Sequence, residues 1–133
     1  AARVHGWPEV APAFAQSCVD AVREHVAYAL ECDSDGEGAG ELRAAASGDL
    51  AHRAQALVDG SNASAVVRRL AGYLSDSIEF AGAGDAKVVA YVAAHAADRA
   101  IPRTRLSRGA SLFDQERARQ AAWLARELSL PAP

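Results

Sequence analysis

Methionine is missing from this chain, lysine occurs once, at Lys87, and aromatic residues supply only 6% of its 133 positions. The 50% hydrophobic fraction therefore rests on alanine and the aliphatics, and alanine is the best helix former. Arginine standing in for lysine fits a GC-rich bacterial genome and names no mechanism. Cysteine is scarce too. Cys18 and Cys32 lie on one helical pattern about 21 Å apart along its axis, which excludes a disulfide between them and predicts two reduced, buried thiols. No apolar run approaches the roughly 18 residues of a membrane span, and the N-terminus lacks the basic and apolar regions of a signal peptide. The expectation is a soluble, cytoplasmic chain with no membrane partner.

Signatures of catalysis are missing as well. There is no nucleophile elbow, phosphate-binding glycine loop, HExxH or CxxC, and no arginine precedes a histidine at the short spacing of HEPN-type helical ribonucleases. A protein that is not an enzyme and carries no cofactor is expected.

What is present is helical periodicity, with no strand alternation, internal repeat or low-complexity tract to compete with it. The longest pattern runs from Phe14 to Cys32. Advancing about 100° per residue, Phe14, Cys18, Val22, His25, Ala29 and Cys32 share a face that Val19, Val26 and Leu30 widen. An apolar arc of roughly 200° exceeds the stripe of an ordinary surface helix, so a central helix over 13–32 should touch neighbours on two sides. Residues 1–12, punctuated by Gly6, Pro8 and Pro12, read as an irregular arm clamped down by Trp7 and Val10. The acidic, glycine-rich stretch after Cys32 reads as an exposed loop. A helix broken at Gly48 resumes at Leu42 and ends at Gly60. Ser61 or Asn62 caps the next, which runs to about Phe80 with Val66, Val67, Leu70, Leu74 and Ile78 inward. Asp85 caps another, which Ile101-Pro102 terminates, and Ser111 with Asp114 opens the last helix, ending near Leu130. The sum is an all-α, single-domain bundle of about five helices, one broken, over 13–130, with an arm at 1–12 and a tail at 131–133.

Three polar groupings invite a chemical reading. Asp33, Asp35, Glu37 and Gly38 occupy positions 1, 3, 5 and 6 of an EF-hand register, but Ala44 stands at position 12, where calcium needs a bidentate glutamate. That predicts a solvated turn rather than a site. Cys18, His25 and Cys32 form a stripe whose members are about 10 Å apart, too far to share a metal whose ligands lie about 2.0–2.3 Å away. No metal site is expected, and His25 reads as a hydrogen-bonded core residue. His95 falls with Lys87, Tyr91, Asp98 and Arg99 on the polar side of its helix, and with Tyr91, Asp98 and Arg99 it makes a possible polar pocket. His52 has no sequence partner.

Charge is unevenly spread: the chain carries −7 up to Asp98 and +4 from Arg99 onward, for a net −3. Arg99, Arg103, Arg105 and Arg108 could meet a nucleic acid, yet slight aromatic support and the acidic remainder argue against it. On the last helix Phe113, Ala121, Leu124, Ala125 and Leu128 read as inward, and Arg117 among them as snorkelling or paired with an acid. Trp123 then projects outward with Leu112 and Leu130 beside Arg119. A large aromatic among charges has the make-up of an interface anchor, unless the N-terminal arm folds over it.

The Ala-rich segment AYVAAHAADRA (Ala90 to Ala100), preceded by FAQSCVDAVREH and followed by ERARQAAWLARELSL, resembles the all-helical immunity proteins of bacterial toxin and bacteriocin loci over about half of the chain. The resemblance implies stoichiometric binding of a protein partner and carries over no functional residue. The leading expectation is a non-catalytic protein-interaction domain, binding a partner or a second copy through the C-terminal helix. Its contact residues would be Trp123, Arg119, Leu112, Leu130, Arg103, Arg105 and Arg108. The alternatives are a small-molecule- or metal-binding bundle with His25 or His95 in its pocket, and a nucleic-acid binder using the Arg-rich region.

Overall fold

The computed structural model of the protein describes residues 6–102 and 111–128, and every regular element within them is a helix. In order these are α1 (Trp7–Cys32), α2 (Gly36–Ala44), α3 (Ser47–Asp59), α4 (Ala65–Gly82), α5 (Ala86–Arg99) and α6 (Leu112–Glu127). The all-α class expected from the periodicity holds. The expected broken helix is two separate pieces, α2 and α3, which makes six helices among the described residues.

Three helices form the centre. α1, α4 and α5 pack pairwise, α2 lies on α1, α3 on α4, and α6 leans mainly on α5 while touching α1 over a short stretch. The wide apolar arc of α1 is what lets it serve several neighbours: Phe14, Cys18, Val19, Val22, Val26 and Leu30 are all buried. α4 contributes Val67, Leu70, Ala71 and Leu74. Val66, expected to point inward, is 40% exposed, one position off the buried stripe and in the first turn of α4, which Ser64 rather than Ser61 or Asn62 caps by accepting from the Val67 N–H. α5 buries Ala86, Ala90, Ala93, Ala94, Ala96 and Ala97 with Val89. Asp85 and Ser111 cap α5 and α6 as their sequence positions predict.

Two expectations about the first third fail for local reasons. The irregular arm is helical from Trp7 onward, with Pro8 in the first turn, where a missing N–H costs nothing and the fixed φ suits a helix. Pro12 lies inside α1 and forfeits one i→i−4 bond. The acidic loop is mostly α2. Ser34, at φ 64°, turns the chain out of α1, and the Asp35 N–H closes back on the Leu30 carbonyl at 2.8 Å, in the manner of a helix C-cap. Asp35 then caps α2 by accepting from the Gly38 N–H at 2.9 Å. A Cβ at Gly38 would run into the Asp35 carboxylate. Burying Ala39 and Leu42 favours helix here over a solvated loop. The EF-hand register is consumed, since its positions from Gly36 onward lie on α2.

Ion pairs line the outside of this region. Arg43 on α2 reaches Glu24 and Glu31 on α1, and Arg53 on α3 meets Glu41 on α2.

Candidate functional site: a cleft between α1, α5 and α6

The last helix does not bury the face that its apolar residues mark out. Its buried side chains are Glu116, 6% exposed, and Gln120, 3% exposed. Glu116 accepts from Arg119 Nε at 2.6 Å and from Arg119 Nη2 at 2.9 Å. It also accepts from Gln120 Nε2 at 2.7 Å. The same Gln120 amide donates across to the Ala90 carbonyl of α5 at 2.9 Å, and Gln120 Oε1 accepts from Arg117 Nη1 at 3.1 Å. Arg119 Nη2 lies 3.9 Å from Cys18 Sγ on α1. A buried polar group is tolerated when its bonds are made, and among the described residues no buried side-chain nitrogen or oxygen lacks a partner. The seam is therefore a closed network. Within it, burial pushes the Cys18 thiol up to about 11, against the pull of the Arg119 guanidinium. Hydrogen bonds to the Glu116 carboxylate raise the pKa of Arg119.

This seating turns Trp123 inward. Its ring packs on Phe14 with centroids 5.6 Å apart, and Phe14 in turn meets Trp7 at 5.7 Å. Expected to project outward, Trp123 is half-buried against the core, because an indole gains more from aromatic and aliphatic neighbours than from water. Trp7 packs on Phe14, and among the described residues no ring contact joins Trp7 to Trp123. Arg119 is likewise occupied by Glu116 and Cys18. Leu112 is half-buried, and Ala121, expected inward, is exposed. Leu130, Arg103, Arg105 and Arg108 lie outside the described residues.

The other polar groups fall as follows. Tyr91, 55% exposed, stands edge-on to His95 at 4.6 Å and to Phe113 at 6.1 Å, with His95 and Phe113 5.3 Å apart. Phe113 thus joins Tyr91 and His95 instead of the core. Asp98 and Arg99 are exposed in the last turn of α5, and no hydrogen bond or ion pair among the described residues ties them to that cluster. His25 is half-buried, Cys18 fully buried, and Cys32, expected to be buried, is exposed. His52 is exposed. No group of three or more histidine, cysteine and acidic residues that could hold a metal exists among the described residues.

Where α6 stands off from α1, a cleft of about 640 Å³ opens, a volume within the range of small-molecule sites. Three helical stripes line it: Trp7 and Phe14 from α1, Lys87, Ala90 and Tyr91 from α5, and Arg117, Gln120, Ala121 and Leu124 from α6. Its floor is apolar and aromatic. Of these residues the sequence singled out only Tyr91 as part of a pocket. In the sequence Lys87 falls on the same polar face as Tyr91, Arg117 reads as snorkelling or paired with an acid, and nothing singles out Gln120.

No protein-family model matches the chain, and no curated protein or solved structure matches it either. No helix of the described residues is long and apolar enough to cross a membrane.

Proposed function

We propose that the protein is a binding domain, not a catalyst, and that its ligand is a small molecule with a substantial apolar body held between α1, α5 and α6. The cleft is the observation that supports this reading: a lining of Trp7, Phe14, Tyr91 and Leu124 with a few polar groups among them is the usual composition of a ligand site. The Cys18 thiol, beside Arg119 in the α1–α6 seam, is fully buried and held protonated at neutral pH, which suits packing rather than nucleophilic attack. An exposed free thiol at Cys32 suits a reducing compartment, and the cytoplasm is the proposed location. Nile red, a neutral apolar dye, tests the cleft. It should bind one equivalent with blue-shifted emission, and Ala121→Trp, which fills the cleft from an exposed position, should abolish the signal. Undiminished binding by that variant refutes the site.

A second reading, partner binding of the immunity type, draws on the exposed Tyr91 ring beside His95 and Phe113. Tyrosine is a favoured hot-spot residue. Because Trp123 and Arg119 are engaged in the fold, Tyr91→Ala is the informative change. It should weaken partner capture or self-association at least tenfold, and an unchanged affinity removes this reading.

A further inference from the structure

Resting on the cleft as the ligand site, we infer that its occupant is an anion: a carboxylate carried on an apolar chain, of the medium-chain fatty-acid type. Lys87 from α5 and Arg117 from α6 both line the cleft, and no acidic residue does so among the described residues. Lys87 makes no ion pair or hydrogen bond among the described residues, and Arg117 makes a single bond from Nη1 to Gln120. Among the described residues neither the Lys87 ammonium nor the remaining guanidinium N–H groups of Arg117 have an acidic partner, and both side chains are exposed where they line the cleft.

The neighbouring acid that could have done so is committed elsewhere, since Glu116 accepts from Arg119 twice and from Gln120 once. Gln120 itself is saturated by Arg117, Ala90 and Glu116. Two cations on facing helices match one anionic head group, and a guanidinium offers paired N–H donors that suit a carboxylate. Trp7, Phe14 and Leu124 provide apolar surface for the chain attached to it.

The test compares three ligands of equal chain length, decanoate, decanol and decyltrimethylammonium, below their micellar concentrations. Binding is read from Trp7 fluorescence in a Trp123→Phe background whose fold has been checked by circular dichroism. Decanoate should bind at least tenfold more tightly than either of the others. Lys87→Gln with Arg117→Gln should remove most of that preference while leaving decanol affinity within about twofold. Lys87→Glu with Arg117→Glu should shift the preference to decyltrimethylammonium. If decanol binds as tightly as decanoate, or if the double glutamine variant keeps the preference, the anionic ligand is refuted and the cleft survives as an apolar site. If none of the three binds, both the anion and the cleft reading fall.

Discussion

The Cys18 thiol is shut away from water between α1 and α6, and that isolation is a statement about stability as well as reactivity. An ordinary thiol ionises near 9, whereas this one is pushed up to about 11 by burial. The folded state therefore holds its proton more tightly than the unfolded chain does. The contribution is complete below pH 9 and is lost progressively as pH rises through 11. In urea titrations the parent protein should lose on the order of 2 kcal/mol more stability between pH 9 and 11 than Cys18→Ala does, and parallel pH profiles would remove the assignment. Cys32 behaves oppositely. Iodoacetamide at neutral pH should give one adduct, mapped to Cys32 by peptide mass spectrometry, with Cys18 modified only after unfolding. The sequence placed both cysteines on one buried stripe. A heptad stripe drifts by about 20° per repeat on a straight helix, and Cys32 also sits in the last turn of α1, where neighbours give out. Periodicity names a face but not where along the helix the cover ends.

Among the elements, α6 is the one fastened by polar bonds rather than apolar bulk. Truncating Glu116 strips Arg119 and Gln120 of their shared acceptor and leaves a guanidinium next to a buried thiol. Breaking one partner of a buried charged network is costly, so Glu116→Ala should destabilise the protein by about 2–3 kcal/mol. Amide exchange should accelerate across 112–127 well before it does in α1 or α4. Uniform acceleration throughout the molecule would show that α6 is not a separable unit. This element also shows where sequence reasoning misplaces a face. Its apolar residues were assigned inward because burial normally follows hydrophobicity, and nothing local announces that Glu116, Arg119 and Gln120 will satisfy one another. The caps of α5 and α6 were legible because capping is a contact within four residues. Helix α1 was legible from Ala13 onward and missed at Trp7–Pro12 because its prolines read as punctuation.

For the whole molecule, the cleft is a product of topology. Trp7 and Phe14, Lys87 and Tyr91, and Arg117 and Leu124 are three separated stretches, and no periodicity in any of them foretells their meeting. If the cleft is a ligand site, filling it ties α6 to α1 and α5, and binding free energy becomes folding free energy. A ligand at about one hundred times its dissociation constant should add about 2.7 kcal/mol and raise the melting temperature by roughly 10 °C. Decanoate is the probe, and calorimetry with and without Ala121→Trp is the check. A melting temperature that does not move would disconnect the cleft from the fold. The core that surrounds this site carries a different consequence. Six of the seven buried residues of α5 are alanines, so its backbone lies close to α1 and α4 and the space beside it is used up. Added methylenes overfill such a position, and glycine weakens the helix. Over evolutionary time that face has almost no alphabet to drift through. Change there must be matched on the partner helices, whereas the exposed cleft residues Lys87, Tyr91, Arg117 and Ala121 are under no such packing constraint.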